Sequence, residues 1–349
     1  MTGQIALEAG GRSYGGWKIV SVSRSIEAFG GSFQFTASER SPTDPTGRPI
    51  QVGDEAVVRI GGVALITGFI DRVEPVYDAT SHEIKVAGRS KTADLVDCSA
   101  VNEPGEWRDR KLEQIAADLV APFGLRVRVE ADTGEVFPTF KLDPTDTVHG
   151  AIARAAAQRA VLVTDNGAGD LVFTRVGPNR AGAELRRGER ILRARGSFSD
   201  RDRFSIYTAK GQRRSSDSDG DEPQVAVSGS AKDLGVTRYR PFEIMAEEPG
   251  GVGDLVARAK WEAATRQGRA LRATLTVQDW GHPGGLWLPN TRVRVEDSWL
   301  GIRREMLIAG VTWLLDEGGR RTDLSLAPPE AFDLLPEPEI SKKSGQIWQ

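Results

Sequence analysis

The sequence predicts an α+β fold that is predominantly β: two homologous small antiparallel β-barrels, with small α/β modules beside them. Three observations predict it. Short stretches alternate apolar and polar residues at the period of a strand, as in Phe33 and Phe35 among Ser32, Gln34 and Thr36. Apolar stripes at helical spacing interrupt them, as at Leu112, Ile115 and Leu119. A segment near the start, VVRIGGVALITGFIDRVEPVYD followed by HEIKVAG, can also be laid over one near the end, VRVEDSWLGIRREMLIAGVTWLLD followed by TDLSLAP.

The elements follow in order. Residues 17–38 read as a hairpin, with Trp17, Ile19 and Val22 before a polar turn and Phe33 and Phe35 after it. SPTDPTGRP, residues 41–49, is a loop, because its prolines cannot complete a strand ladder. Strands resume at 56–60, 64–73 and 83–87, so residues 1–97 form the first barrel. A helix over about 110–121, stopped by Pro122, and a second one through Val148, Ile152, Ala155 and Ala156 then flank the strands LRVRVE, AVLVTD and LVFTRV. Residues 98–187 form an α/β module. The second barrel begins over 188–225 and is completed by 271–335; residues 226–270 are an inserted segment with a helix over 254–267, for which Asp254 is a possible N-cap and Gly268 the stop. Gly68 and Gly310 fall at matched places in LITGFI and LIAGVT, where a strand bends or approaches another backbone. Residues 336–349 form an extended tail that ends in Ile347 and Trp348.

Composition narrows the function. With 349 residues the chain is long enough for several modules. Its 46 Lys+Arg against 49 Asp+Glu, a net charge of -3, give no broad electrostatic reason to bind nucleic acid or an anionic membrane, so protein partners are expected. No stretch reaches the roughly 20 apolar residues of a membrane span, and the start lacks the pattern of a signal peptide. Synthesis in the cytoplasm is expected. Cys98 is the one cysteine and reads as a buried small hydrophobe, and no Cys/His spacing suggests zinc.

Catalytic signatures are missing. There is no G-x-S-x-G elbow, no P-loop and no dinucleotide glycine motif, and His82, His149 and His282 lie in three different modules, so neither a cofactor nor an enzyme is expected. DSDGDE at 217–222 superficially suggests a calcium loop, but the twelfth position is Ser228 where the bidentate Glu should stand. Arg186, Arg187, Arg190, Arg193 and Arg195 form a basic cluster interrupted by Glu184 and Glu189, which fits a solvated or subunit-contacting face better than a nucleic-acid groove. Five tryptophans, Trp261, Trp280, Trp287, Trp299 and Trp313, crowd the last third. Trp is enriched at interfaces, so Trp280, Trp287, Trp299 and, in the tail, Trp348 are the candidate subunit or partner contacts.

Six stretches resemble the baseplate hub proteins of Mu-like contractile-tailed phages, which are structurally similar to the hubs of T-even phages. They are SVSRSIEAFGGSFQFTAS, VEPVYDATSHEIKVAGRSKTADLVDCSA, FSIYTAKGQ, RYRPFEIMAEE, WEAATRQGRALRATLTVQDW and LWLPNTRVRV, in that order along nearly the whole chain. The resemblance implies a ring-shaped homotrimer in which two barrels per subunit imitate six-fold symmetry. It implies a structural adaptor in the virion baseplate between a six-fold tail tube and a three-fold spike, with wedge proteins around it. A tail-like bacteriocin or a prophage-derived injection particle would use the same hub. Two other classes compete: a small-barrel nucleic-acid binder, which the pI of about 5.8 disfavours, and a tail-associated cell-wall hydrolase, for which no lytic module is visible. A type VI secretion spike would continue into a long β-helix.

Overall fold

In a computed structural model the chain is described for residues 3–38, 50–78, 82–212, 226–245 and 252–334. Two compact units are present, one formed by residues 1–156, 161–196 and 272–329 and the other by 157–160, 197–271 and 330–349.

The first unit opens with strands β1 (Ile5–Ala9), β2 (Arg12–Tyr14), β3 (Ile19–Ser25), β4 (Ser32–Ser38), β5 (Glu55–Ile60), β6 (Val63–Tyr77) and β7 (His82–Ser90). Strand β5 alternates as a half-buried strand must: Ala56, Val58 and Ile60 point inward, while Glu55, Val57 and Arg59 do not. Val20, Val22, Phe33, Phe35, Leu65, Ile66 and Val86 close the core beneath them. Each such side chain contributes about 1.5–3 kcal/mol relative to exposure.

A short helix α1 (Asp94–Asp97) leads to the α/β module, made of β8 (Glu106–Arg110), α2 (Leu112–Val120), β9 (Val127–Val129), β10 (Phe137–Lys141), α3 (Val148–Gln158), β11 (Leu162–Asp165) and β12 (Leu171–Thr174). The backbone N–H of Lys111 donates to Gln114 Oε1 at 3.0 Å, satisfying one donor at the start of α2. Leu112, Ile115 and Leu119 of α2 share one core with Ala151, Ile152 and Ala155 of α3 and with Trp107, Phe137, Phe140, Leu171 and Phe173. Pro122 does stop the helix, which tightens there into a 3₁₀ turn over Ala121–Phe123.

Strands β13 (Asn179–Arg186) and β14 (Ile191–Phe198) follow. The inserted elements β15 (Ile206–Gln212), β16 (Ala226–Lys232), β17 (Pro241–Met245) and α4 (Val252–Arg269) come next. Helix α4 starts two residues before Asp254 and runs through Gly268, whose missing Cβ leaves room for the backbone of Ala331. The insert has its own small core, Tyr207, Ala209, Leu255 and Ala259, with Phe204 and Phe242 stacked at 4.6 Å. The chain then completes β18 (Leu271–Gln278), the two-residue strands β19 (Gly281–His282) and β20 (Gly285–Leu286), β21 (Thr291–Asp297), β22 (Ile302–Asp316) and β23 (Gly319–Ala327).

The fold is predominantly β and of the α+β class, but the expected pair of barrels is corrected: no sheet closes on itself among the described residues. The strands instead form one open 13-stranded sheet, in the order β14-β18-β23-β22-β3-β4-β7-β6-β5-β1-β2, with β21 beside β22 and β13 beside β21. Closing either barrel would need the outermost strands of one module to meet. Strand β3 instead gives its second edge to β22, through the pairs from Gly310 with Ser25 to Leu315 with Val20.

The repeat is visible within this sheet. Strands β3-β4-β7-β6-β5 of the first half correspond in order and pairing to β14-β18-β23-β22-β21 of the second, with β15 to β17 and α4 inserted where the first half has the β3–β4 turn. Val57 and Val293 lie on the corresponding strands β5 and β21. The matched glycines differ in role. A Cβ on Gly68 would land on the carbonyl of Arg89, whereas one on Gly310 would meet only the Ser25 and Ser325 side chains, at 3.4–3.5 Å.

Candidate assembly surface

Among the described residues no group of three or more His, Cys, Asp or Glu could hold a metal ion. His149 packs against Phe29 with ring centroids 4.4 Å apart, and burial holds its pKa below the usual range. His282 packs against Trp287 with the rings tilted and their centroids 4.6 Å apart, its Nδ1 accepts from the N–H of Gly284, and burial, aided by the charge of Arg190, lowers its pKa. His82 begins β7. Cys98 is exposed, correcting the expectation of a buried residue: it caps α1, its backbone N–H donates to Asp94 O, and the chain leaves the helix there in extended geometry. The acidic loop 217–222 lies outside the described residues.

What the surface does present is a charge lattice on β13, β21 and β22. Period-2 alternation puts Val293 and Val295 inside and Arg292, Arg294 and Glu296 on the other face. Across that face Arg180 meets Glu305 at 2.9 Å, Arg186 meets Glu184 at 2.6 Å and Glu296 at 3.6 Å, Arg292 meets Glu305 at 3.6 Å, and Arg294 meets Glu296 at 3.4 Å. Arg186 of the basic cluster is thereby paired with two carboxylates. Arg193 and Arg195, on β14, have no carboxylate within ion-pair distance among the described residues.

Beside this lattice lies an open groove of about 550 Å³, lined by Arg186, Arg187, Glu189, Glu296, Asp297 and Arg303 among others. The turn between β21 and β22 stands at its edge and carries Trp299, which is 80% exposed. The turn is held from below: buried Asp297 accepts the backbone N–H groups of Trp299 at 2.8 Å and Leu300 at 2.9 Å. The Arg187 guanidinium sits 5.7 Å from the indole centroid. The other candidate tryptophans are placed differently. Trp280 is buried with its Nε1 donating to Leu314 O at 2.9 Å, and Trp287 is buried beside His282, so the single chain covers both rings. Trp348 lies outside the described residues.

Sequence reasoning missed the joint between the first strands and the α/β module. The turn after β11, read only as a glycine turn, docks onto the first sheet: Arg24 donates to Asp165 O at 2.7 Å, Thr92 Oγ1 donates to Asp165 Oδ2 at 2.9 Å, and Thr67 Oγ1 donates to Gly167 O at 2.8 Å. Gly167 lies so close to the Ala64 backbone that a Cβ would overlap its carbonyl. The signal available was the run DNGAGD, whose two glycines permit close approach. Its partners, about 75 to 140 residues away, left no trace in local pattern.

Comparison with known proteins gives a consistent result. Family models match residues 4–90 (Mu phage baseplate assembly protein GpP-like, N-terminal), 92–175 (baseplate hub protein gp44-like, second domain) and 254–335 (Mu phage baseplate assembly protein GpP, fourth domain). Baseplate hub protein gp44 of Escherichia phage Mu is 40% identical over 355 residues, covering 99% of this chain and 93% of that protein. Among solved structures, the 43 kDa tail protein of prophage MuSo2 from Shewanella oneidensis matches with TM-score 0.82 and 36% identity, over 95% of this chain and 100% of that one. A tail protein of Neisseria meningitidis MC58 shares the fold at TM-score 0.77 and 22% identity, over 95% and 99%.

Proposed function

The chain belongs to the baseplate hub family of Mu-like phages, and from that premise we propose that it is a homotrimeric adaptor joining a six-fold tail tube to a three-fold spike. The observation that carries the reading is the duplicated strand set. One chain contributes two corresponding sheet segments joined side by side through β3 and β22, so three chains supply six such segments. A ring of this kind offers six near-equivalent positions to a tube and only three identical chains to a spike, which reconciles the two symmetries.

The role needs no catalysis, and the proteins this chain resembles are named as structural tail components. Its place is then the virion baseplate, after synthesis in the host cytoplasm, with spike, tube and wedge proteins as neighbours. The paired charge lattice on β13, β21 and β22 supports protein contact over nucleic-acid contact, because its arginines are already matched by Glu184, Glu296 and Glu305. The test is co-expression of the full chain with the spike protein of the same particle. A complex with three copies of each is expected; a hub that never retains the spike under mild salt contradicts the adaptor reading.

A further inference from the structure

The groove beside β21 and β22 has features that joining the strands does not require. In the first strand set the turn between β5 and β6 is Gly61 and Gly62 alone, whereas the corresponding turn between β21 and β22 runs from Ser298 to Gly301 and carries Trp299. The longer turn is nevertheless well held, because buried Asp297 accepts two of its backbone N–H groups. A large indole is thus fixed at the edge of a cavity of about 550 Å³ while 80% exposed. Left mostly in water, the ring adds little to the stability of the chain that carries it.

The cavity volume falls within the roughly 300–1,000 Å³ of small-molecule sites, but its walls are far more polar than theirs. Among the described lining residues Ile302 is the one apolar side chain; the others are charged or carry a hydroxyl, apart from Gly301. Several of these groups are already engaged. Arg186 and Glu296 meet at 3.6 Å, Asp297 holds the turn, and Arg187 lies over the indole. Glu189, Ser298 and Arg303 are not: among the described residues their side chains make no hydrogen bond or ion pair. One of the three offers only acceptors, one only donors, and one both.

This set discriminates between ligands by charge. An anion would face Glu189 and Glu296, and a cation would face Arg187 and Arg303. Nucleic-acid bases could stack on the indole, but their phosphates would meet the same two glutamates. A neutral ligand whose groups both donate and accept, and which has an apolar face to lay on the ring, meets no such repulsion. A pyranose has that constitution: hydroxyls around its rim, and a C–H face attracted by the negative π-face of an indole.

We propose that this groove binds a neutral oligosaccharide, with Trp299 as the stacking platform and Glu189, Ser298 and Arg303 as partners of its hydroxyls. The site lies within one chain and does not depend on the ring reading.

The experiment titrates the full chain at millimolar sugar with two probes, followed by saturation-transfer NMR and calorimetry. Tetra-N-acetylchitotetraose represents amino-sugar chains of the cell-wall kind, and maltotetraose represents plain glucans. Binding of either is the result expected, and which of them binds tells the source of the ligand. Trp299→Ala should weaken binding by roughly ten-fold or more, and Trp299→Phe, which keeps a ring, by less. Glu189→Ala and Arg303→Ala should each weaken it by roughly three-fold. All three positions are exposed, so the variants should keep the circular dichroism of the parent. If neither sugar binds, or if Trp299→Ala binds as tightly as the parent, the groove is not a sugar site. If neither binds and Trp299→Ala instead weakens capture of the co-expressed spike, the groove is a protein contact and the sugar assignment is equally overturned.

Discussion

At the residue scale, the two matched glycines separate a requirement from a coincidence of pattern. Gly68 permits a backbone approach that any side chain would block, so Gly68→Ala is expected to destabilise by about 1–3 kcal/mol or more through overpacking. Gly310→Ala should stay within about 0.5 kcal/mol, because its neighbours are two serine side chains that can yield. Urea unfolding of both variants decides this. Arg24 and Asp165 make a buried pair, with side-chain exposures of 10% and 5%. Asp165→Ala leaves the guanidinium buried without its carboxylate and should cost about 3–5 kcal/mol, whereas Asp165→Asn, which can still accept from Thr92, should cost less. His149 adds a pH dependence of known sign. Its folded pKa lies below the unfolded value of about 6.5, so the unfolded chain binds the proton first, and stability falls as pH drops through that unfolded value toward the folded one. The urea midpoint should fall from pH 7 to pH 5.5, and less so in His149→Gln.

At the element scale, the strands and helices were legible because their signal is local. The alternation of Ala56, Val58 and Ile60, the stripe of Leu112, Ile115 and Leu119, and the stop at Pro122 each reflect one element burying one face. The repeat was legible too, since LITGFI and LIAGVT occupy corresponding strands. Barrel closure was not legible, because it depends on which strand edges meet. Strand β3 could pair β5, β1 or β22 without altering its own alternation, and only the assembled sheet shows that it takes β22. The same limit applies to the candidate contacts. Tryptophan content pointed to Trp280, Trp287 and Trp299 alike, but whether a ring faces inward is set by partners such as Leu314 O and His282, far away or on another strand. The docked turn after β11 gives an expectation at this scale. Gly167→Ala should push the turn off the first sheet and accelerate hydrogen exchange in 64–67 and 162–171 together, while α4 exchanges as before.

At the scale of the whole molecule, the account rests on one chain carrying two corresponding sheet segments already joined as neighbours would be in a ring. Architecture alone does not choose among functions. Ring closure by three copies is the claim on which the adaptor role depends. Its most direct test is the absolute mass of the purified full chain by light scattering across micromolar concentrations. Three times the chain mass of 37.9 kDa is the result expected, and a stable species of 37.9 kDa throughout that range would contradict it.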